Sequence, residues 1–124
     1  MSETIFTKNA PEAIGPYSQA VKVGNMVFTS GQIAINPESG QVDADTIEGQ
    51  TEQVCKNLSE VLKASGTGIE KTVKTVCFLR NMEDFAKFNE VYAKYFTGKP
   101  ARSCVAVREL PKNVLVEVDV IAEI

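Results

Sequence analysis

Near the C-terminus, Val114, Val116, Val118, Val120 and Ala122 alternate with Leu115, Glu117, Asp119 and Ile121. Only an extended chain, whose side chains point to opposite faces in turn, puts the first five in one row. Such a row must lie in a sheet and be covered. Two segments carry the helical spacing that can cover it. Ile47, Thr51, Val54, Cys55, Leu58, Val61 and Leu62 form one stripe, and Phe85, Phe88, Tyr92, Tyr95 and Phe96 form another. A sheet with both helices on one face buries each stripe once, which makes the fold α+β with a mixed sheet. The second row of the last strand is neither wholly polar nor wholly apolar. That mixture on an otherwise uncovered face points to association with further subunits.

The remaining elements follow from local chemistry. Residues 4–6 read as a short edge strand, and residues 10–16 as a proline-bounded loop. Residues 20–23 and 26–30 read as a hairpin, because glycine first in the loop Gly24-Asn25 is the type II′ signal. A polar connection covers 36–45. The first helix runs for about five turns, with acidic residues at its start and Gly66 just past its end. Residues 72–80 read as a strand, and Asn81 as the cap of a second helix reaching Tyr95. Strands at 101–107 and 114–122 are linked by a turn around Pro111-Lys112-Asn113. The order is β-ββ-α-β-α-ββ. With 124 residues, no repeats and no linker, residues 1–124 read as a single domain. That length buries about two-thirds of the unfolded surface, so no disulfide or metal staple is needed.

Composition removes several classes of chemistry. There is no histidine, so no Ser-His-Asp triad, no Cys-His pair and no imidazole base or ligand. Thirteen Lys and Arg against sixteen Asp and Glu leave a net charge of −3, with the basic residues scattered. Nucleic-acid binding leans on clustered cations and is not expected. One arginine suffices to hold a small carboxylate. The three cysteines, Cys55, Cys77 and Cys104, form no C-x-x-C pair, and no signal-peptide or membrane-spanning pattern is present. An odd count of this kind fits a reducing, cytoplasmic setting. No phosphate loop, dinucleotide fingerprint or nucleophile elbow occurs, and neither a cofactor nor a metal is predicted. Asn57-Leu58-Ser59 matches a glycosylation acceptor but lies within the helical pattern.

A few polar residues break the packing pattern. Arg102 and Cys104, two apart in a strand, share a face. Read as the hairpin partner of that strand, the last strand brings Glu117 close. Arg102 and Glu117 then form either a cross-strand ion pair or an anion clamp beside a carboxylate that holds a water. Cys104 reads first as a small buried hydrophobe, because no base is available to it. Asn89 sits inside the second helix's apolar stripe and needs a partner, either a strand end or a loop or ligand. Ser30-Gly31 leaves a strand, where glycine permits close backbone approach. Tyr17, in a proline-bounded loop, either plugs the core or walls a pocket.

These residues also carry a family resemblance. Ala13-Ile14-Gly15-Pro16-Tyr17-Ser18-Gln19-Ala20, Phe28-Thr29-Ser30-Gly31-Gln32-Ile33, the segment Asn81 to Tyr92, and Pro100-Ala101-Arg102-Ser103-Cys104-Val105-Ala106-Val107 resemble motifs of the RidA family. These are the YjgF-like reactive-intermediate deaminases. The last motif is followed by Leu110-Pro111 and Val116-Glu117-Val118, and the resemblance covers essentially the whole chain. It implies a chorismate-mutase-like fold and a homotrimer whose sheets form a central barrel, with sites in clefts between subunits. It implies hydrolysis of 2-imino or enamine acids, such as 2-aminoacrylate and 2-iminobutanoate, to 2-oxo acids and ammonia, without cofactor or metal. Such acids escape from pyridoxal-phosphate-dependent dehydratases. Arg102 would grip the substrate carboxylate, and Glu117 would position or activate water. Backbone groups at Gly31 and Cys104 would bind the imine nitrogen or the water. Tyr17 would wall the pocket, with Ser30 and Asn89 adding polar contacts. The alternatives are a non-catalytic module that binds small carboxylates and an endoribonuclease or translation inhibitor. The acidic balance argues against the latter.

Overall fold

The computed structural model describes residues 1–124. Six strands form one mixed sheet: β1 (Ser2–Ile5), β2 (Ala20–Val23), β3 (Met26–Thr29), β4 (Thr72–Leu79), β5 (Ala101–Ala106) and β6 (Val116–Glu123). Two helices, α1 (Ile47–Ala64) and α2 (Phe85–Tyr95), complete the α+β fold. The sheet order is β1-β2-β3-β6-β4-β5.

β6 takes the centre, antiparallel to both β3 and β4. This follows from its valine row. Val116, Val118, Val120 and Ala122 are at most 1% exposed and pack beneath the helices with Val54, Leu58, Val61, Leu62 and Phe88. Placing β6 there corrects the expected hairpin of the last two strands. β5 instead pairs in parallel with β4, reached through α2 as a crossover, so β4 separates β5 from β6.

The helix ends carry their own signals. Thr46 Oγ1 accepts from the Gly49 N–H at 3.1 Å and caps α1. At the other end Gly66 adopts φ +89°. Its N–H reaches the Lys63 carbonyl, and the Thr67 N–H reaches Leu62, closing a Schellman motif. Gly24, at φ +59°, turns the β2–β3 hairpin as expected. α2 differs at its start. A 3-10 turn over Met82–Asp84 precedes it, and the Asn81 side chain makes no capping bond. β1 starts at Ser2, and β6 starts only after a turn in which Lys112 and Asn113 have φ near +55°.

On the sheet face away from the helices, Val21, Phe28 and Ile121 lie side by side in register, as do Val105, Phe78 and Glu117. Phe28 and Val105 are 44% and 48% exposed. This face is largely apolar yet uncovered in a single chain. No helix is long and apolar enough to cross a membrane.

Candidate functional site

The singled-out residues fall into two groups, on different parts of the chain. The first surrounds a cleft of about 210 Å³ lined by Ile14, Tyr17, Gly31, Ile33, Lys112 and Glu117, among others. Gln32 builds it. Its N–H donates to the Val118 carbonyl at 2.8 Å, and its carbonyl accepts from the Val118 N–H at 3.2 Å. This bridge lays Gly31 against Glu117. A Cβ on residue 31 would stand 2.8 Å from the Glu117 carboxyl carbon, so the close approach requires glycine. Tyr17 is 53% exposed and walls the cleft rather than plugging the core. Ser30 ties the loops together: its hydroxyl donates to the Ser18 carbonyl at 2.6 Å, and its N–H to Gln19 at 2.9 Å.

Glu117 is half-buried, and loss of hydration pushes its carboxyl up from the ordinary range. The nearby Asp119 charge adds to this. Asp119 is raised by burial as well. A carboxylate in this setting binds a proton more readily than an exposed one, which suits a group that takes a proton from water.

The second group lies beside α2. Arg102 is the register partner of buried Thr75, so its side chain leaves the sheet on the helix side. Its guanidinium carbon stands 4.9 Å from the Tyr92 ring centre and 5.3 Å from that of Phe85. Arg102 Nη1 donates to Asn89 Oδ1 at 2.8 Å. Asn89 thus meets a strand residue, and what it orients is the guanidinium. Tyr92 is itself fixed by a 2.8 Å hydrogen bond between its hydroxyl and Thr75 Oγ1, and it stacks on Phe96 with centroids 4.4 Å apart. The arginine is therefore held by a neutral amide and two aromatic faces, with its charge free for an outside anion. Cys104 shares that face and is partly exposed. Burial raises its thiol, and the Arg102 cation partly offsets the rise. It is held mostly as thiol, a poor nucleophile.

The two groups do not meet in one chain. Glu117 is the register partner of Phe78, and Arg102 that of Thr75. Positions three apart in a strand face opposite ways, so Arg102 and Glu117 leave opposite faces of the sheet. An ion pair between them within one chain is ruled out, which corrects the cross-strand reading.

Some contributors gave little sequence signal. Phe85 and Tyr92 belonged to the core stripe, and nothing local showed a cation on them. Gln19, 2% exposed, anchors the Tyr17 loop by accepting from the Thr7 N–H at 2.7 Å and donating to the Pro11 carbonyl at 2.8 Å. Asn57, 1% exposed, donates to the Ile33 and Ile35 carbonyls at 3.1 and 2.9 Å and holds the segment after Gly31. Within α1 and so buried, Asn57 is no glycosylation acceptor, as its place in the helical pattern predicts.

The sequence model of the family described as Endoribonuclease L-PSP matches residues 7–124. The 2-iminobutanoate/2-iminopropanoate deaminase of Escherichia coli is 47% identical over 126 residues, covering 98% of each chain. A crystal structure from Thermotoga maritima, provisionally described as an endoribonuclease, is 50% identical. It superposes with a TM-score of 0.97 over 100% of this chain and 98% of its own. Escherichia coli TdcF, solved with bound serine, is 40% identical with a TM-score of 0.93 over 98% of each chain.

Proposed function

Because the chain belongs to the YjgF/RidA family, we propose that it hydrolyses 2-imino and enamine acids to 2-oxo acids and ammonia. The observation that carries this reading is the Arg102 guanidinium, anchored by Asn89 at 2.8 Å and backed by Tyr92 and Phe85, with no carboxylate holding it. A planar fork so prepared matches a carboxylate in bidentate geometry. The deaminase name of the Escherichia coli relative, and the serine bound by TdcF, agree with a small amino-acid-like ligand.

In this reading the pocket forms between copies of the chain. Arg102, Asn89 and the Cys104 backbone of one copy face Tyr17, Gly31 and Glu117 of another. The apolar, uncovered sheet face supplies the surface for a homotrimer. Arg102 holds the substrate carboxylate, and Glu117 takes a proton from a water. The water oxygen bonds to C2 of the protonated imine as the C=N π pair moves to nitrogen. Glu117 then passes the proton to that nitrogen. Ammonia leaves, taking the C–N pair, and the hydroxyl proton is released as the 2-oxo acid forms. An enamine first takes a proton at C3. A protonated imine is already electrophilic, so an anchored anion and a placed water suffice without an imidazole.

The test generates 2-aminoacrylate with a serine dehydratase and follows pyruvate release. The protein should accelerate release well beyond buffer. Saturable binding of 2-oxobutanoate with no acceleration would instead favour a carboxylate-binding module. Binding of RNA that weakens steeply with salt would favour the endoribonuclease reading.

A further inference from the structure

The buried thiol of Cys77 has no part in the reaction proposed above, yet it lies directly beside the strand that carries Arg102. Cys77 on β4 and Cys104 on β5 are register partners in the parallel pair, so both side chains stand on the helix-facing side. Neighbouring strands lie about 4.8 Å apart, within the roughly 4.4–6.8 Å between Cα atoms that a disulfide spans. Cys77 Sγ reaches Thr75 Oγ1, on the same face of β4, at 3.7 Å, and Cys104 stands opposite it on β5. All three cysteines are reduced. The pair is asymmetric in a useful way. Cys104 is partly exposed on an edge strand, which pairs with β4 alone within the chain, whereas Cys77 is fully buried behind it.

We infer that Cys77 and Cys104 form an oxidative modification site, in which a hydroperoxide joins them as a cross-strand disulfide and thereby disables the Arg102 half-site. Cys104 gives up its proton, the thiolate attacks one oxygen of hydrogen peroxide as the O–O bond breaks, and the hydroxide that leaves takes that proton, giving a sulfenic acid and one water. The Cys77 sulfur then attacks the Cys104 sulfur, and the hydroxyl leaves with the Cys77 proton as a second water. Two thiols and one peroxide become one disulfide and two waters. Burial holds the Cys77 thiol up at about 12, and that of Cys104 is also raised, so cross-linking accelerates as the pH increases. The new bond draws Cys104 towards β4. It shifts the backbone two residues from Arg102, where a misplacement of about 1 Å can cost on the order of 100-fold in rate.

The loss of turnover rests on the deaminase reading, whereas the cross-link does not. The intact protein is treated with hydrogen peroxide, its remaining thiols are blocked, and it is mapped by mass spectrometry without reduction. The expected result is a Cys77–Cys104 linked peptide that dithiothreitol removes. Cys77→Val and, as a second variant, Cys77→Ala should give no link and carry Cys104 on to sulfinic acid, while Cys55→Ala should link like the parent. Over-oxidised Cys104 without a link in the parent, or a link through Cys55, would overturn the site. Where the reduced protein turns over 2-aminoacrylate, oxidation should lower the rate at least tenfold and dithiothreitol should restore it. A linked protein with an unchanged rate overturns the disabling effect. A linked protein whose reduced form is inactive tells against the deaminase reading alone.

Discussion

Arg102 and Glu117 leave opposite faces of one sheet, on strands that β4 separates. They are offset by roughly 10 Å across the strands and roughly 10 Å along them. The proposed anion clamp and the proposed water-holding carboxylate, so placed, cannot serve one substrate molecule within one chain. Each is nevertheless held in place: Arg102 by Asn89 and two aromatic rings, Glu117 by its close fit to Gly31. The proposed pocket joins these two prepared halves from different copies.

Gly31→Ala tests the second half. The added methyl carbon would meet the Glu117 carboxyl carbon at 2.8 Å and push the carboxylate aside. A displacement of about 1 Å predicts a kcat roughly 100-fold lower with KM little changed. The coupled 2-aminoacrylate assay reads the rate, and circular dichroism should show an unaltered fold. Parent-like turnover would remove Glu117 from the chemistry.

Asn89→Ala tests the first half. The variant keeps the charge of Arg102 and loses its 2.8 Å anchor. A hydrogen bond to a charged group contributes about 1.5–3 kcal/mol, so KM should rise about ten- to a hundredfold. Arg102→Ala should abolish turnover, and Arg102→Lys should recover little, because an ammonium has no fork. Initial rates over a range of dehydratase-generated substrate separate KM from kcat.

The carboxyl of Glu117 titrates above its ordinary 4.5 because of burial first and Asp119 second. The folded chain therefore binds this proton more tightly than the unfolded chain. The stability it contributes is present below about 4.5 and is lost as the pH rises through the higher folded value. Glu117→Gln should thus melt above the parent at pH 7, and the difference should vanish under acid. The proposed mechanism needs the ionised form, so the acid limb of kcat/KM should lie above 4.5 and move down in Asp119→Asn. Thermal melts and a pH–rate profile give the two readings.

Asn57→Ala tests the support beneath the cleft. It leaves the Ile33 and Ile35 carbonyls without their amide donor in a buried setting. The expected loss is about 2–3 kcal/mol of unfolding free energy, measured by urea denaturation. Turnover should fall in the same variant, because Gly31 lies two residues before Ile33.

Much of this architecture is legible in the residues. Valines alternating from 114 to 120 forecast a buried strand, and two helical stripes forecast its cover. Gly24 and Gly66 mark their turns because each adopts positive φ. Strand order is less legible. Nothing local to 101–106 says that it runs parallel to β4 rather than pairing with β6, since that choice is made by the crossover through α2. The same long-range choice hides the site. Arg102, Glu117, Gly31 and Tyr17 were readable as candidates, but which of them stand together depends on sheet faces and register. The Asn89–Arg102 contact joins residues thirteen apart, and no local periodicity announces it.

The most direct test of the central claim mixes two defective chains. Arg102→Ala and Glu117→Gln are each expected to be inactive alone. Co-expressed in equal amounts, they should assemble interfaces in which one copy supplies Arg102 and its neighbour supplies Glu117. Random pairing makes about one interface in four intact, so about a quarter of the parent activity should return. Mixed assemblies that are confirmed to form and yet remain as inactive as either variant alone would contradict a site shared between copies.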